Sequence, residues 1–181
     1  EDDHGSSTQE PDLVEVLPWG VKERLTQEKT AIGFYLSGHL FDEVELEVRR
    51  FAKRSIADLQ DVREPQWVAG IVSDFRVING QRGKIAMFKL DDKSGAIDAR
   101  VAEELMNAHK DLLKDDALIL VMGQVRDDRF SGGMLLTVKE IFDLETARCR
   151  FGKYLRVPLR TQGGDGAAWV VQLQRLLREF P

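Results

Sequence analysis

Cysteine is nearly absent from this chain of 181 residues: Cys149 stands alone, so no internal disulfide can form. A single thiol suits a reducing compartment, and a cytoplasmic setting is expected. His4, His39 and His109 lie far apart, with no cysteines near them, which argues against a metal centre. No run approaches the roughly 18 apolar residues a membrane-spanning helix needs, and no signal-peptide pattern opens the chain. Nor is there a nucleophile beside a base, a carboxylate set for metal, or a phosphate-binding loop leading into a helix. No catalytic residue is therefore assigned. A basic excess is missing too, since the formal net charge is −5. Hydrophobic residues make up 43% of the chain, enough for an ordinary packed core.

The informative part is residues 66–144, where short strand-like runs alternate with turn chemistry. Residues 67–78 (WVAGIVSDFRVI) form a long strand-like run, turned by Asn79-Gly80-Gln81-Arg82-Gly83. Residues 84–90 (KIAMFKL) run back, and Asp91-Asp92-Lys93-Ser94-Gly95 makes the next turn. Residues 96–101 give a third strand, and 102–113 read as a helical insert. Residues 117–126 and 134–144 then pair across a Ser131-Gly132-Gly133 tip. Three strands, a helix and two strands is the order of a five-stranded Greek-key barrel, the OB-fold. The expected class is therefore mainly β with flanking helices. Barrels of this kind take single-stranded nucleic acid or oligosaccharide on the outer surface of strands two and three, between two loops.

Alternation sorts that surface. Ala86, Phe88 and Leu90 should face inwards with Ile97, Ala99 and Val101, leaving Met87, Lys89, Asp98 and Arg100 outside. One flanking loop supplies Arg76, Asn79, Gln81, Arg82 and Lys84, the other Arg126, Arg129 and Phe130. Cations neutralise phosphates and Phe130 offers a stacking face, so these eleven positions are the candidate nucleic-acid contacts. Residues 66–142 nevertheless hold eleven Lys/Arg against twelve Asp/Glu. Such a barrel should hold a strand weakly and with strong salt dependence. Asp91 and Asp92 read as turn formers, because neighbours on a strand point to opposite faces.

Residues 1–17 are acidic and poor in apolar side chains, as a flexible linker would be. Residues 18–65 form a helical neck. One helix should start near Pro18 and run through Gly33 to stop at Ser37-Gly38; a second should span 42–51, capped by Asp42, with Val44, Val48 and Phe51 on one face. The neck cannot bury much alone, so it should pack on the barrel or on a preceding domain. After the barrel come residues 145–181, entered through a short helix over 143–151 that has Asp143 near its positive end. They end in an amphipathic one, with Trp169, Leu173, Leu176 and Phe180 on one face. That helix reads as the opening of another domain, and both termini read as cuts in a longer polypeptide.

Three stretches carry a family resemblance: Thr30-Ala31-Ile32-Gly33-Phe34-Tyr35-Leu36-Ser37-Gly38-His39, Leu90-Asp91-Asp92-Lys93-Ser94-Gly95, and Gly123-Gln124-Val125 with Phe130-Ser131-Gly132-Gly133. From about Pro18 to Phe151 the chain resembles the region around the OB domain of bacterial replicative DNA polymerase III alpha subunits, members of the C-family polymerases. One departure is Leu40, where that family commonly has Pro after Gly-His. The resemblance implies a non-catalytic piece of a nucleotidyltransferase, parted from the palm whose carboxylates bind two magnesium ions, so no cofactor is expected here. It implies a barrel that receives the single-stranded DNA template, within an assembly containing the sliding clamp and the clamp-loader tau subunit. By the same resemblance the terminal helix opens the tau-contacting domain. Two rival readings follow from the same residues: a protein-interaction module that touches no DNA, and a tRNA-binding barrel.

Overall fold

A computed structural model describes residues 17–33, 35–80, 83–128, 132–154 and 166–178, with only the backbone of 166–168. The chain divides into two compact units, Glu1–Ala147 and Arg148–Pro181. The first contains five strands: β1 (Gln66–Gly80), β2 (Gly83–Asp91), β3 (Ala96–Ala102), β4 (Leu118–Asp127) and β5 (Met134–Phe142). They close in the order β1-β2-β3-β5-β4, with β3 and β5 parallel and every other pair antiparallel. The expected OB-fold barrel is thus present, on close to the expected boundaries.

Its interior is what alternation assigned. Ala86, Phe88, Leu90, Ile97, Ala99 and Val101 are all buried, and they meet Val68, Val72, Val121, Val125 and Leu136 from the other strands. The insert between β3 and β4 is shorter than expected: α3 covers only Glu103–Ala108, and Met106 and Leu113 close one barrel end. A 3-10 turn at Ile56–Asp58 sends Ile56 and Leu59 into the same core.

The neck covers the outer surface of β1, β4 and β5. Phe41, Val48 and Ala52 pack with Ala69, Ile71, Leu120, Phe142 and Ala147, and the rings of Trp67 and Phe142 sit 5.4 Å apart. Burial on both faces explains why residues 66–72 read as a nearly unbroken apolar run rather than an alternating one. Two helix expectations are corrected. α1 (Val21–Ile32) ends at Gly33, whose φ of 87° allows the left-handed turn that closes the helix. α2 is one turn, Glu45–Val48, instead of ten residues. Asp42 does not cap it: its carboxylate accepts from the His39 N–H at 2.8 Å and pairs with Lys93 Nζ at 2.7 Å. Both partners hold Asp42 below the usual carboxylate range, Lys93 most strongly.

The β2–β3 turn is where neck and barrel lock. Asp92 is 1% exposed; it accepts from Arg49 Nη2 at 2.7 Å, the Ile56 N–H at 2.8 Å, the Ser94 N–H at 3.1 Å and Ser94 Oγ at 2.5 Å. Burial alone would raise its pKa, but the Ser94, Ile56 and Arg49 hydrogen bonds outweigh that and hold it below the usual range. Arg49 is thereby spent on Asp92. After the barrel, α4 (Leu144–Phe151) starts from Asp143, whose Oδ1 accepts the Thr146 N–H at 2.7 Å, the expected N-terminal arrangement. In the second unit α5 spans Gly166–Arg178 and leaves Trp169, Val171, Leu176 and Leu177 exposed. Phe180 and residues 155–165 lie outside the described residues.

Candidate nucleic-acid interface

In an antiparallel ladder, directly paired residues project to the same side of the sheet. Tracing pairs across the barrel therefore reads out its outer face. Arg76 pairs with Met87, Met87 with Arg100, Arg100 with Thr137, and Thr137 with Gln124. These five residues form one row across all five strands. The row beside it runs Ser73, Lys89, Asp98, Leu135, Arg126. Five of the eleven candidates, Arg76, Met87, Lys89, Arg100 and Arg126, thus occupy adjacent rows on one face.

Arg76 reaches that face because of a bulge. Between Ser73 and Arg76 the register slips, so Asp74 and Phe75 together oppose one residue of β2; Asp74 takes φ 55°. The extra residue reverses the phase of the strand. Without it Phe75 and Val77 would face outwards. With it, Arg76 and Ile78 do, and Phe75 packs towards the core.

The same logic moves two candidates away. Asn79 pairs with Lys84, two residues along from the Val77–Ala86 pair, so both belong to the inward-facing side of the hairpin end. There Lys84 borders a groove of about 410 Å³ with Phe75, Val77, Glu103, Met106, Asn107, Lys110 and Leu113, and its N–H donates to Glu103 Oε2 at 2.9 Å. Lys84 and Asn79 are therefore not part of the outer rows, since alternation along β2 puts Lys84 with Ala86 rather than Met87. Gln81, Arg82, Arg129 and Phe130 lie outside the described residues.

Charge on the face is unevenly spent. Lys89 Nζ pairs with Asp74 Oδ2 at 3.0 Å, and that hydrogen bond, followed by the charges of Asp74 and Asp98, raises the Lys89 pKa. Arg126 Nη1 donates to Asp61 Oδ1 at 2.6 Å. Arg100 Nε donates to Thr137 Oγ1 at 2.9 Å, which orients the guanidinium and leaves its two terminal nitrogens with no protein partner among the described residues. Arg76 is exposed and pairs with no carboxylate among them. Between the two arginines sits half-buried Met87, and the next row beside it holds half-buried Ile85 and exposed Ile78. Two cations about an aliphatic strip can take phosphates on either side of an unstacked base. Gln124, Thr137 and Asp61 escaped the sequence reading. The first two were reachable by carrying alternation onto β4 and β5; Asp61 was not, because it lies outside the barrel.

No group of three or more metal-ligating side chains occurs among the described residues. No helix among them is long and apolar enough to cross a membrane.

A tRNA anticodon family model, described as an OB-fold nucleic acid binding domain, matches residues 66–144. The DNA polymerase III alpha subunit of Pseudomonas fluorescens is 42% identical over 156 residues, which is 84% of this chain and 13% of that protein. That match decides the family. The chain belongs with the DNA polymerase III alpha subunits. Their Escherichia coli K12 member is 29% identical over 86% of the chain and 14% of its own length. The chain thus spans about an eighth of the alpha subunits it matches, and the match falls on an OB-domain part of them, not on the catalytic region. Among solved structures, the second OB-fold domain of replication protein A from Methanococcus maripaludis is 19% identical, with a TM-score of 0.41, over 51% of this chain and 94% of that one.

Proposed function

We propose that the barrel holds single-stranded DNA, the template strand, for a DNA polymerase of which this chain is the OB-domain part. The observation that carries the reading is the row Arg76–Met87–Arg100, two cations with no carboxylate partner among the described residues, on either side of Met87 and beside Ile78 and Ile85. Phosphates would sit on the guanidinium groups, while bases lie on Ile78, Ile85 and Met87. Such contacts neutralise the backbone and read no base edge, so little sequence preference is expected. The whole protein would be a DNA-directed DNA polymerase acting with the sliding clamp and the clamp-loader tau subunit, its magnesium chemistry lying elsewhere in the polypeptide.

Titration of a fluorescent oligodeoxythymidine between 50 and 200 mM salt tests this reading. Arg76→Ala and Arg100→Ala should each weaken binding and lower the log–log salt slope by about 0.7, the value per phosphate on a single strand. Unchanged titrations for both variants would refute the site.

A second reading is a protein-interaction module, favoured by the pairing of Lys89 with Asp74 and Arg126 with Asp61. It expects binding to a tau fragment and no response to oligonucleotide. A barrel for tRNA would instead prefer an anticodon stem-loop to plain single-stranded DNA in the same titration.

A further inference from the structure

The segment joining the 3-10 turn to β1 has no regular structure over residues 59–65, yet it is pinned along the outer side of β4. Asp61 Oδ1 takes Arg126 Nη1 at 2.6 Å, and its Oδ2 takes the Asp127 N–H at 3.1 Å. The Arg63 carbonyl accepts from Gln124 Nε2 at 3.0 Å. Gln124 and Arg126 are the β4 ends of the two outer rows, so the connector occupies the side chains with which both rows finish.

We infer that residues 61–63 act as a tethered competitor for the β4 end of the nucleic-acid face, Asp61 holding the guanidinium that a phosphate would otherwise take. This rests on the single-strand reading above. A carboxylate and a phosphate offer a guanidinium the same paired oxygens, so the two are alternative partners of one cation. Asp61 is tethered two residues from Leu59, which is buried in the core, so its local concentration at Arg126 is high whatever ligand is present. The Arg126 hydrogen bond, then that of Asp127, draws the Asp61 carboxyl below the usual range, so it stays ionised at neutral pH. A strand reaching only the β4 end must displace Asp61 without help. A longer one, already held at Arg76 and Arg100, delivers its next phosphate at comparable local concentration. The connector therefore sets a minimum length for the bound strand.

The test is the oligodeoxythymidine titration on the full 181-residue chain, at several strand lengths, for wild type, Asp61→Asn, Arg126→Ala and the double variant. Asp61→Asn should bind up to roughly fivefold tighter, the range of an exposed ion pair. Its salt slope should steepen by about 0.7 as one more phosphate is neutralised, and shorter strands should bind. Arg126→Ala should cancel that gain in the double variant while changing little in wild type. Asp61→Ser, uncharged but still able to accept the Asp127 N–H, serves if Asp61→Asn does not fold. Equal affinity and slope for wild type and the Asp61 variant overturn the inference, as does a gain that survives Arg126→Ala. In either case, weakening by Arg76→Ala leaves the single-strand reading standing. If Arg76→Ala and Arg100→Ala are both silent, the reading itself has failed.

Discussion

Asp92 shows how much a single side chain in a turn can carry. Its sequence neighbourhood, Asp-Asp-Lys-Ser-Gly, identifies the turn, and its Ser94 contacts are those of an Asx-type turn. What the turn chemistry does not disclose is that the same carboxylate faces Arg49 and the Ile56 N–H, 43 and 36 residues earlier. Long-range partners leave no local periodicity, so a role in locking the neck to the barrel is invisible until the chain is folded. Removing one partner of a buried, hydrogen-bonded ion pair costs about 3–5 kcal/mol, and Asp92→Asn should destabilise by about that much in chemical denaturation. The pH dependence follows from the sign of the shift. Because the folded-state pKa is lowered, the stabilisation is complete above the unfolded carboxylate value of about 3.9 and is lost as pH falls through the folded value. Below about pH 4 the unfolding midpoint of wild type should therefore fall faster than that of Asp92→Asn. Parallel pH profiles would show that Asp92 is not titrating as described.

At the scale of elements, strands were legible and helices less so, for one reason. The strands of the barrel keep a two-residue period wherever only their inner side is covered, as in β2 and β3, so Phe88, Leu90, Ile97 and Val101 could be assigned by alternation. The neck has no such regularity, because its apolar residues are placed by the surface they cover: Phe41, Val48 and Ala52 fit β1 and β4 from a turn, one helical turn and another turn. The β1 bulge is likewise unwritten in propensity, yet it decides that Arg76 rather than Phe75 reaches the outer row. Closure of β4 on β5 has its own requirement at Gly123, beside a register shift between Met122 and Gly123. A Cβ there would lie 2.4 Å from the Thr137 carbonyl oxygen and 2.9 Å from Leu136 Cδ1. The backbone atom cannot rotate away, so Gly123→Ala should cost about 1–3 kcal/mol, the range of overpacking, read as a lower denaturation midpoint. It should also reduce hydrogen-exchange protection along the β4–β5 pair more than along β1–β2. Uniform loss of protection would mean that the clash is relieved elsewhere.

For the molecule as a whole, the sequence places a helical neck before Pro65 and a barrel after it, and expects the neck to pack on the barrel or on a preceding domain. The packing takes the first course and joins the two into one unit. Ala69, Ile71, Leu120 and Phe142 point away from the barrel interior, and they are buried only because Phe41, Val48 and Ala52 lie over them. Ile56 and Leu59 precede the barrel in sequence but belong to its core. Asp92 takes two of its hydrogen bonds from the neck. A chain trimmed to residues 66–144 would expose four apolar side chains and leave a carboxylate without its cation, while the interior would lose two of its members. Residues 17–147 should therefore unfold in one transition, with circular dichroism and tryptophan fluorescence coincident, Trp67 lying at the neck–barrel seam and Trp19 just before α1. Residues 66–144 alone should unfold at markedly lower denaturant or associate through the bared surface. If the trimmed barrel matched the longer chain in midpoint and stayed monomeric, the neck would be an appendage. The connector that carries Asp61 would then have no fixed support from which to compete for Arg126, so the regulation inferred for the nucleic-acid face depends on the same joint unit.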